Sequence, residues 1–308
     1  MDKSIKFMKK QKILITGILG YIARDICEAY KMNGYDIIGI DCKFDPIKVK
    51  WLTENGIKYY QRDLFNIKDL LSDVYLIIHT AGITTVPTVK SKSNLNIDSE
   101  IIKTGVDGTR ELIKHSPHNC KFIFLSTHVI FESLTTQVLN IDETFTPCPN
   151  LAYSTSKYQS ELDILSSNKK SIILRLGSVY GYNEHIRCNV LSNLFSKLAA
   201  VDGKLKVFGN GNNIKPLVGV SDVGKVIFHL DSLNFNQQIF NVANEHITVK
   251  ELANICKLYA PHINIEFTDD EIPNNGYSLS TEKLKNTGFI FSTNINSEIK
   301  KMIGMWSY

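Results

Sequence analysis

Tyr153 and Lys157 stand four residues apart in a stretch with helical periodicity, so both side chains project from one face. An ordinary tyrosine has a pKa near ~10, too high for an effective base at neutral pH. A nearby ammonium favours the phenolate and lowers that value. Such a pair can take a proton from a substrate hydroxyl while the C–H hydride leaves for a nicotinamide, or return it in reverse. Ser126 and Thr127 end an apolar run one strand–helix unit earlier, where a hydroxyl can bond the reacting oxygen beside the tyrosine. Tyr153, Lys157 and Thr127 in this order form the candidate catalytic set.

A cofactor site is legible upstream. Thr16-Gly17-Ile18-Leu19-Gly20-Tyr21-Ile22-Ala23 closes one apolar run and opens a helical one. Gly17 permits the tight turn, Gly20 lets the backbone approach a pyrophosphate, and Ala23 is small enough for the helix to pack on the strand. Tyr21 and Ile22 begin the helix with free N–H groups and a dipole that face an anion. Asp41 ends the next apolar run, where a carboxylate accepts both adenosine ribose hydroxyls and repels a 2′-phosphate. That favours NAD over NADP, while Lys43, two residues on, keeps NADP open. Asp63-Leu64 follows the third run and can place a carboxylate near the adenine amino group. Thr80-Ala81-Gly82 are small enough for a dinucleotide to lie against the sheet edge, and His79 before them reads as a buried, satisfied histidine.

The elements that must position these residues alternate. Strands are expected at 12–16, 36–40, 58–61, 73–80, 121–126 and 171–176, with helices at 21–33, 96–115 and 153–167. Gly34 caps the first helix. The strands are continuously apolar, so the sheet is covered by helices on both faces. The fold class is α/β: a Rossmann-type doubly wound parallel sheet with a smaller C-terminal lobe. After Gly181 the rhythm loosens to a helix at 189–200, a turn or loop at 208–213, a late sheet strand at 239–242, a helix at 249–259 capped by Thr248, a short strand at 265–267 and a final helix at 296–303.

Composition excludes several other classes. Hydrophobic residues are 43% and charged residues 21%, values of a globular protein. Lys3, Lys6, Lys9, Lys10 and Lys12 against Asp2 account for the whole formal charge of +4, so no folded basic face for nucleic acid is implied. Met8 can serve as an alternative start, and residues 1–7 read as an extension. No apolar run approaches the ~20 residues of a membrane helix, and no secretory signal is apparent. The six cysteines have irregular spacing and read as reduced, mostly buried thiols of a cytoplasmic protein; with the histidines equally scattered, no metal is expected.

Taken together, Thr16–Ala23, Asp41, Asp63-Leu64, His79–Gly82, Gly108-Thr109, Ser126-Thr127, Tyr153-x-x-x-Lys157, Leu174-Arg175, Val179-Tyr180-Gly181, Phe208–Gly211 and Val220–Val223 resemble the extended short-chain dehydrogenase/reductase family, in its NAD-dependent epimerase/dehydratase group acting on nucleotide sugars. The resemblance implies a tightly held NAD on residues 8–181, with returns near 215–245, and a substrate-binding lobe mainly from 182–308. It implies a nucleotide-sugar partner, substrate contacts from Thr84, His128, Ser178 and Lys215, and a homodimer through helices 96–115 and 153–167.

Departures narrow the chemistry. Dehydratases of the group carry an acidic pair after the threonine; here His128 and Val129 stand there, so no 4,6-dehydration is expected. The decarboxylases' glutamate is also absent. Gly105 and Ser178 replace asparagines, and Lys215, followed by Pro216, replaces an arginine, keeping the charge but losing the bidentate fork. The implied function is NAD-dependent oxidation and reduction at a nucleotide-sugar hydroxyl, at C4, as epimerase or dehydrogenase. A 4-keto-sugar reductase using NAD(P)H fits the Ser126–Phe131 run, and a non-catalytic NAD-binding sensor would not need Tyr153, Lys157 and Thr127 together.

Overall fold

The computed structural model describes residues 11–84, 94–270, 272 and 274–307. Most of the basic N-terminal stretch, with Met8, lies outside the described residues. The first half runs β1 (Lys12–Thr16), α1 (Tyr21–Met32), β2 (Asp36–Asp41), α2 (Pro46–Glu54), β3 (Lys58–Gln61), β4 (Val74–His79), α3 (Leu95–Ile102), α4 (Gly108–His115), β5 (Lys121–Thr127), β6 (Val138–Ile141), α5 (Ala152–Ser166), β7 (Ser171–Leu176) and β8 (Ser178–Tyr180). The second half adds α6 (Leu191–Val201), β9 (Lys204–Phe208), β10 (Ile214–Gly219), α7 (Val220–Ser232), β11 (Gln238–Val242), β12 (Glu245–Thr248), α8 (Val249–Tyr259), β13 (Asn264–Thr268), β14 (Tyr277–Leu279), α9 (Glu282–Lys285) and α10 (Ile295–Trp306).

Among the described residues, seven parallel strands form the main sheet in the order β11-β7-β5-β4-β1-β2-β3. The strand order reverses between β1 and β4, the switch point at whose carboxyl edge ligands bind in such sheets. Both faces are buried, as the unbroken apolar strands predict. On β1, Ile13 and Ile15 join the core beneath α1 and α7, while Leu14 faces the opposite core with Leu112 of α4. Helices α1 and α7 touch closely: a Cβ at Gly224 would lie 2.7 Å from the Asp25 carbonyl oxygen.

Later segments build a second core around Tyr180, Phe195, Leu217, Leu252, Ile299 and Met302. A three-stranded sheet, β12-β10-β8, links the two cores and carries Lys215. The capping box at Thr248 and Glu251 fixes the start of α8.

One helix departs from expectation. The stretch 96–115 is interrupted by a π-helical turn, Lys103–Asp107, between α3 and α4. Gly105 sits in that turn against α5, where a Cβ would come 2.8 Å from Ser156 Oγ. Its carbonyl accepts from Thr109 Oγ1 (2.5 Å) and Ser160 Oγ (2.9 Å), so a wider turn and a missing side chain let α5 pack against backbone. The thiols are all free, but only Cys27, Cys120 and Cys256 are buried and Cys42 is exposed, which corrects the expectation that most are buried.

Candidate active site

A cleft of about 1870 Å³ opens at the carboxyl ends of β1, β4 and β5. It is walled by Gly17, Gly20, Tyr21 and Ile22, by Asp41, Asp63 and Leu64, and by Thr80, Ala81, Gly82 and Thr84. Ser126, Thr127, His128, Tyr153, Lys157, Ser178 and Lys215 line the same space. The fold therefore brings every candidate residue to one cavity, although their side chains do different things there.

The glycine turn is an open anion cradle. Gly17 has φ +69°, and a Cβ there would meet Ala81 Cα at 2.9 Å. Helix α1 begins at Gly20 with no capping side chain and no acid in its first turn, which leaves its first amides open to an anion. Asp41 accepts from Leu19 N (3.2 Å) on one oxygen and Lys43 N (3.0 Å) on the other. Each oxygen keeps a second lone pair for a ribose hydroxyl. The Asp63 carboxylate accepts from Phe65 N at 3.0 Å, and Leu64 is buried against Gly108. Tyr21 lines the cleft but its phenol turns into the body and donates to the Gly181 carbonyl at 2.5 Å.

His79 is buried between the Thr16 and Thr109 hydroxyls, 2.7 and 3.0 Å from its ring nitrogens. Burial pushes its pKa down to about 3, so the ring is neutral, a satisfied histidine as expected. Thr16 Oγ1 also accepts from Ala81 N at 3.2 Å, and Thr80 donates to the Thr16 carbonyl at 2.6 Å.

At the β5 end the two hydroxyls part company. Ser126 donates to Glu161 Oε1 at 2.5 Å, and Glu161 is itself ion-paired with Arg175 at 2.8 Å in the interior. Consecutive strand residues face opposite ways, so only Thr127 looks toward the reacting position. Its hydroxyl accepts from Val129 N at 3.1 Å and lines the same cleft as the Tyr153 phenol.

Burial raises the Tyr153 phenol above the usual range, while the Thr127 hydroxyl and the charge of Arg187 pull it back. Lys157 is anchored in the interior. Its ammonium donates to the Leu125 carbonyl at 2.8 Å and lies 4.6 Å from the Phe124 ring centre. Burial brings its pKa down to about 8, with Glu161 opposing.

Arg187 was not legible as a site residue. It sits between β8 and α6, its Nε donating to Asn189 Oδ1 (2.6 Å) and Nη2 to the Thr84 carbonyl (3.2 Å). The same segment bonds the opposite rim, where Asn183 Nδ2 donates to the Tyr21 carbonyl (3.1 Å) and to Asp25 (2.6 Å). Tyr277 of β14 was also unforeseen. Its hydroxyl donates to the His128 carbonyl at 2.9 Å, so His128 Nδ1–H donates to Tyr277 and Nε2 accepts from Ser178 at 3.1 Å. Burial pushes His128 down to about 3, leaving it neutral with both ring nitrogens engaged. Lys215 donates to Asn274 at 2.8 Å, and burial brings it down to about 8.

The model of the NAD dependent epimerase/dehydratase family matches residues 13–243. The chain belongs to this family. It is 28% identical to the putative UDP-glucose 4-epimerase of Methanocaldococcus jannaschii over 261 residues, 80% of this chain and 81% of that protein. Its fold is that of the UDP-glucose 4-epimerase of Thermotoga maritima, solved with UDP-glucose (TM-score 0.80, 21% identity, 96% and 98% of the two chains covered). It is equally that of a dTDP-glucose 4,6-dehydratase of Bacillus anthracis solved with NAD (TM-score 0.80, 21% identity, 96% of each chain). The shared fold does not choose between reactions.

Membership makes this an NAD-dependent enzyme of the extended short-chain dehydrogenase/reductase type, and the residues fit the cofactor. The uncapped α1 start suits the pyrophosphate, the free Asp41 lone pairs suit the ribose, and the Gly17 bend leaves no room for a side chain. Among the described residues, no helix is long and apolar enough to cross a membrane.

Proposed function

We propose that the protein interconverts C4 epimers of a nucleotide sugar. When bound, NAD supplies the acceptor and donor of hydride for that carbon. Tyr153 takes the proton of the C4 hydroxyl and later returns it, Thr127 holds the same oxygen in line, and Lys157 orients the nicotinamide ribose. The observation that carries this reading is the convergence of Thr127, Tyr153 and Lys157 at the switch-point edge, in one cleft with the dinucleotide cradle and Lys215. Residues 8–181, with the return near 215–245, form the NAD lobe, and 182–308 mainly hold the sugar nucleotide. Thr84, His128, Ser178 and Lys215 wall the sugar and diphosphate. The archaeal relative, named a putative UDP-glucose 4-epimerase, supports the C4 assignment.

Dehydration is disfavoured by the wall itself. Val129 offers no proton, and the neutral His128 is occupied by Tyr277 and Ser178. A purified enzyme that formed a 4-keto-6-deoxy sugar would refute this. Incubation with UDP-, dTDP- and GDP-sugars should yield the isomer with no net change in reduced-cofactor absorbance. A stoichiometric change would make it a dehydrogenase or a 4-keto-sugar reductase instead. Tyr153→Phe should lose about 10²–10⁴-fold in turnover while still binding NAD.

A homodimer belongs to the same reading. Leu95 and Ile97 of α3 and Leu162 of α5 lie exposed on two helices that pack together.

A further inference from the structure

We infer that Ser178 accepts a hydrogen bond from a hydroxyl of the substrate's sugar, in a direction set by His128 and Tyr277, which makes a neutral hexose nucleotide preferred over a uronic acid. The inference rests on the reading that the cleft holds a nucleotide sugar. Proton bookkeeping carries it. The Tyr277 hydroxyl lies 2.9 Å from the His128 carbonyl, and a carbonyl can only accept, so the one phenolic proton goes there. The same phenol oxygen lies 2.9 Å from His128 Nδ1 and therefore accepts from it, which puts the ring proton on Nδ1. A neutral imidazole carries one N–H, so Nε2 is bare. Burial keeps this ring neutral, its pKa down at about 3. Ser178 Oγ, 3.1 Å from Nε2, then gives its only proton to the ring.

What Ser178 offers the cleft is consequently an oxygen with lone pairs and no hydrogen. Ser178, His128 and Tyr277 line the same space as Thr127 and Tyr153. Ser178 lies on β8 opposite Leu217 of β10, two residues beyond Lys215, so its side chain shares a face with that of Lys215. The two divide the work by charge. Lys215 supplies the cation, its Nζ held by Asn274 at 2.8 Å. A phosphate or carboxylate oxygen brought against Ser178 would set lone pair against lone pair, whereas a sugar hydroxyl would donate. An asparagine here could turn an N–H toward an anion; a serine tied to a bare histidine nitrogen cannot. His128 and Tyr277 are positioning residues in this arrangement, since they act on the sugar through Ser178.

The test is calorimetric binding to the NAD-loaded enzyme, which needs no turnover, with each variant checked as folded by thermal melting. The probes are the tightest-binding of UDP-glucose, dTDP-glucose and GDP-mannose, its free nucleoside diphosphate, and the uronate of the same base. Ser178→Ala should weaken the hexose nucleotide about three- to tenfold and leave the diphosphate unchanged. Tyr277→Phe lets the ring proton move to Nε2 and frees the serine to donate. Its hexose-over-uronate ratio should fall about threefold or more, with diphosphate binding again unchanged. Among the 2-, 3- and 6-deoxy analogues of the hexose nucleotide, one should bind the wild type more weakly and be indifferent to Ser178→Ala. An equal loss for the diphosphate would make Ser178 a phosphate contact and overturn the inference. So would tighter wild-type binding of the uronate than of the hexose, or a Ser178→Ala loss that persists with all three analogues. Hexose nucleotides that bind as expected without being isomerised would overturn the proposed reaction alone; no binding of any sugar nucleotide would overturn both.

Discussion

Asp41 serves two masters, since the same carboxylate that faces the ribose position also ties down Leu19 and Lys43. Asp41→Asn should weaken NAD binding about tenfold, roughly 1.4 kcal/mol, and narrow the preference against NADP. Calorimetric titration with both dinucleotides reads this, and an unchanged preference would refute the assignment. His79→Ala should lower stability by about 1–3 kcal/mol, seen in the urea midpoint, because Thr16 and Thr109 lose their buried partner. Residue types and order were enough to find Gly17, Asp41, Thr127, Tyr153 and Lys157, because a βαβ unit puts strand ends and helix starts on one edge. What they could not give was direction. Ser126 turns inward because a strand alternates, and Lys157 finds a carbonyl. Arg187 is brought in by a segment whose path only tertiary contacts decide.

At the scale of elements, the catalytic helix has an unusual beginning. Leu151, at the start of α5, offers no capping side chain. Glu132, from the turn after β5, substitutes: its Oε1 accepts from Asn150 N (3.0 Å), Leu151 N (2.8 Å) and Ser154 Oγ. Glu132→Ala should cost about 1–2 kcal/mol of stability and reduce kcat more than it changes KM, because Tyr153 sits in that first turn. Glu132→Gln, which keeps an acceptor, should recover most of both; equal losses in the two variants would remove the capping role. Most long apolar elements were legible because their periodicity is strong; α7 was not foreseen, although it buries Val223, Val226, Ile227 and Leu230. The strands β8, β9, β10 and β12 were not, being short and partly polar, with Lys215 and Pro216 inside β10. Helix α2 escaped notice because it buries only Leu52. The π-helical turn depends on the fit of Gly105 to Ser156, a relation between two elements that neither sequence pattern contains.

The whole molecule carries a pH dependence. His79 and His128 are held at about 3, below the ~6.5 of an exposed histidine. Between these values the unfolded chain binds protons that the folded chain refuses. Stability therefore falls as pH drops through that window, by at most about 1.4 kcal/mol per pH unit for each ring. Asp25, raised to about 6 by burial, works the other way between its unfolded value and 6, so below pH 6 it offsets about one ring's share of the slope. Urea unfolding from pH 7 to 5 should show declining stability; a flat profile would mean that the rings are not neutral. Leu162→Glu should shift the protein toward monomer in sedimentation, whereas an unaltered mass would move the dimer to another face. One more consequence concerns the segment from Gly181 to Asn189, stitched to Tyr21 and Asp25 on one rim and to Thr84 on the other. A ligand lying beneath such a seam leaves only when several bonds open together. Long dialysis is thus expected to leave the dinucleotide behind, and an electron pair lifted from one sugar has nowhere to go but back.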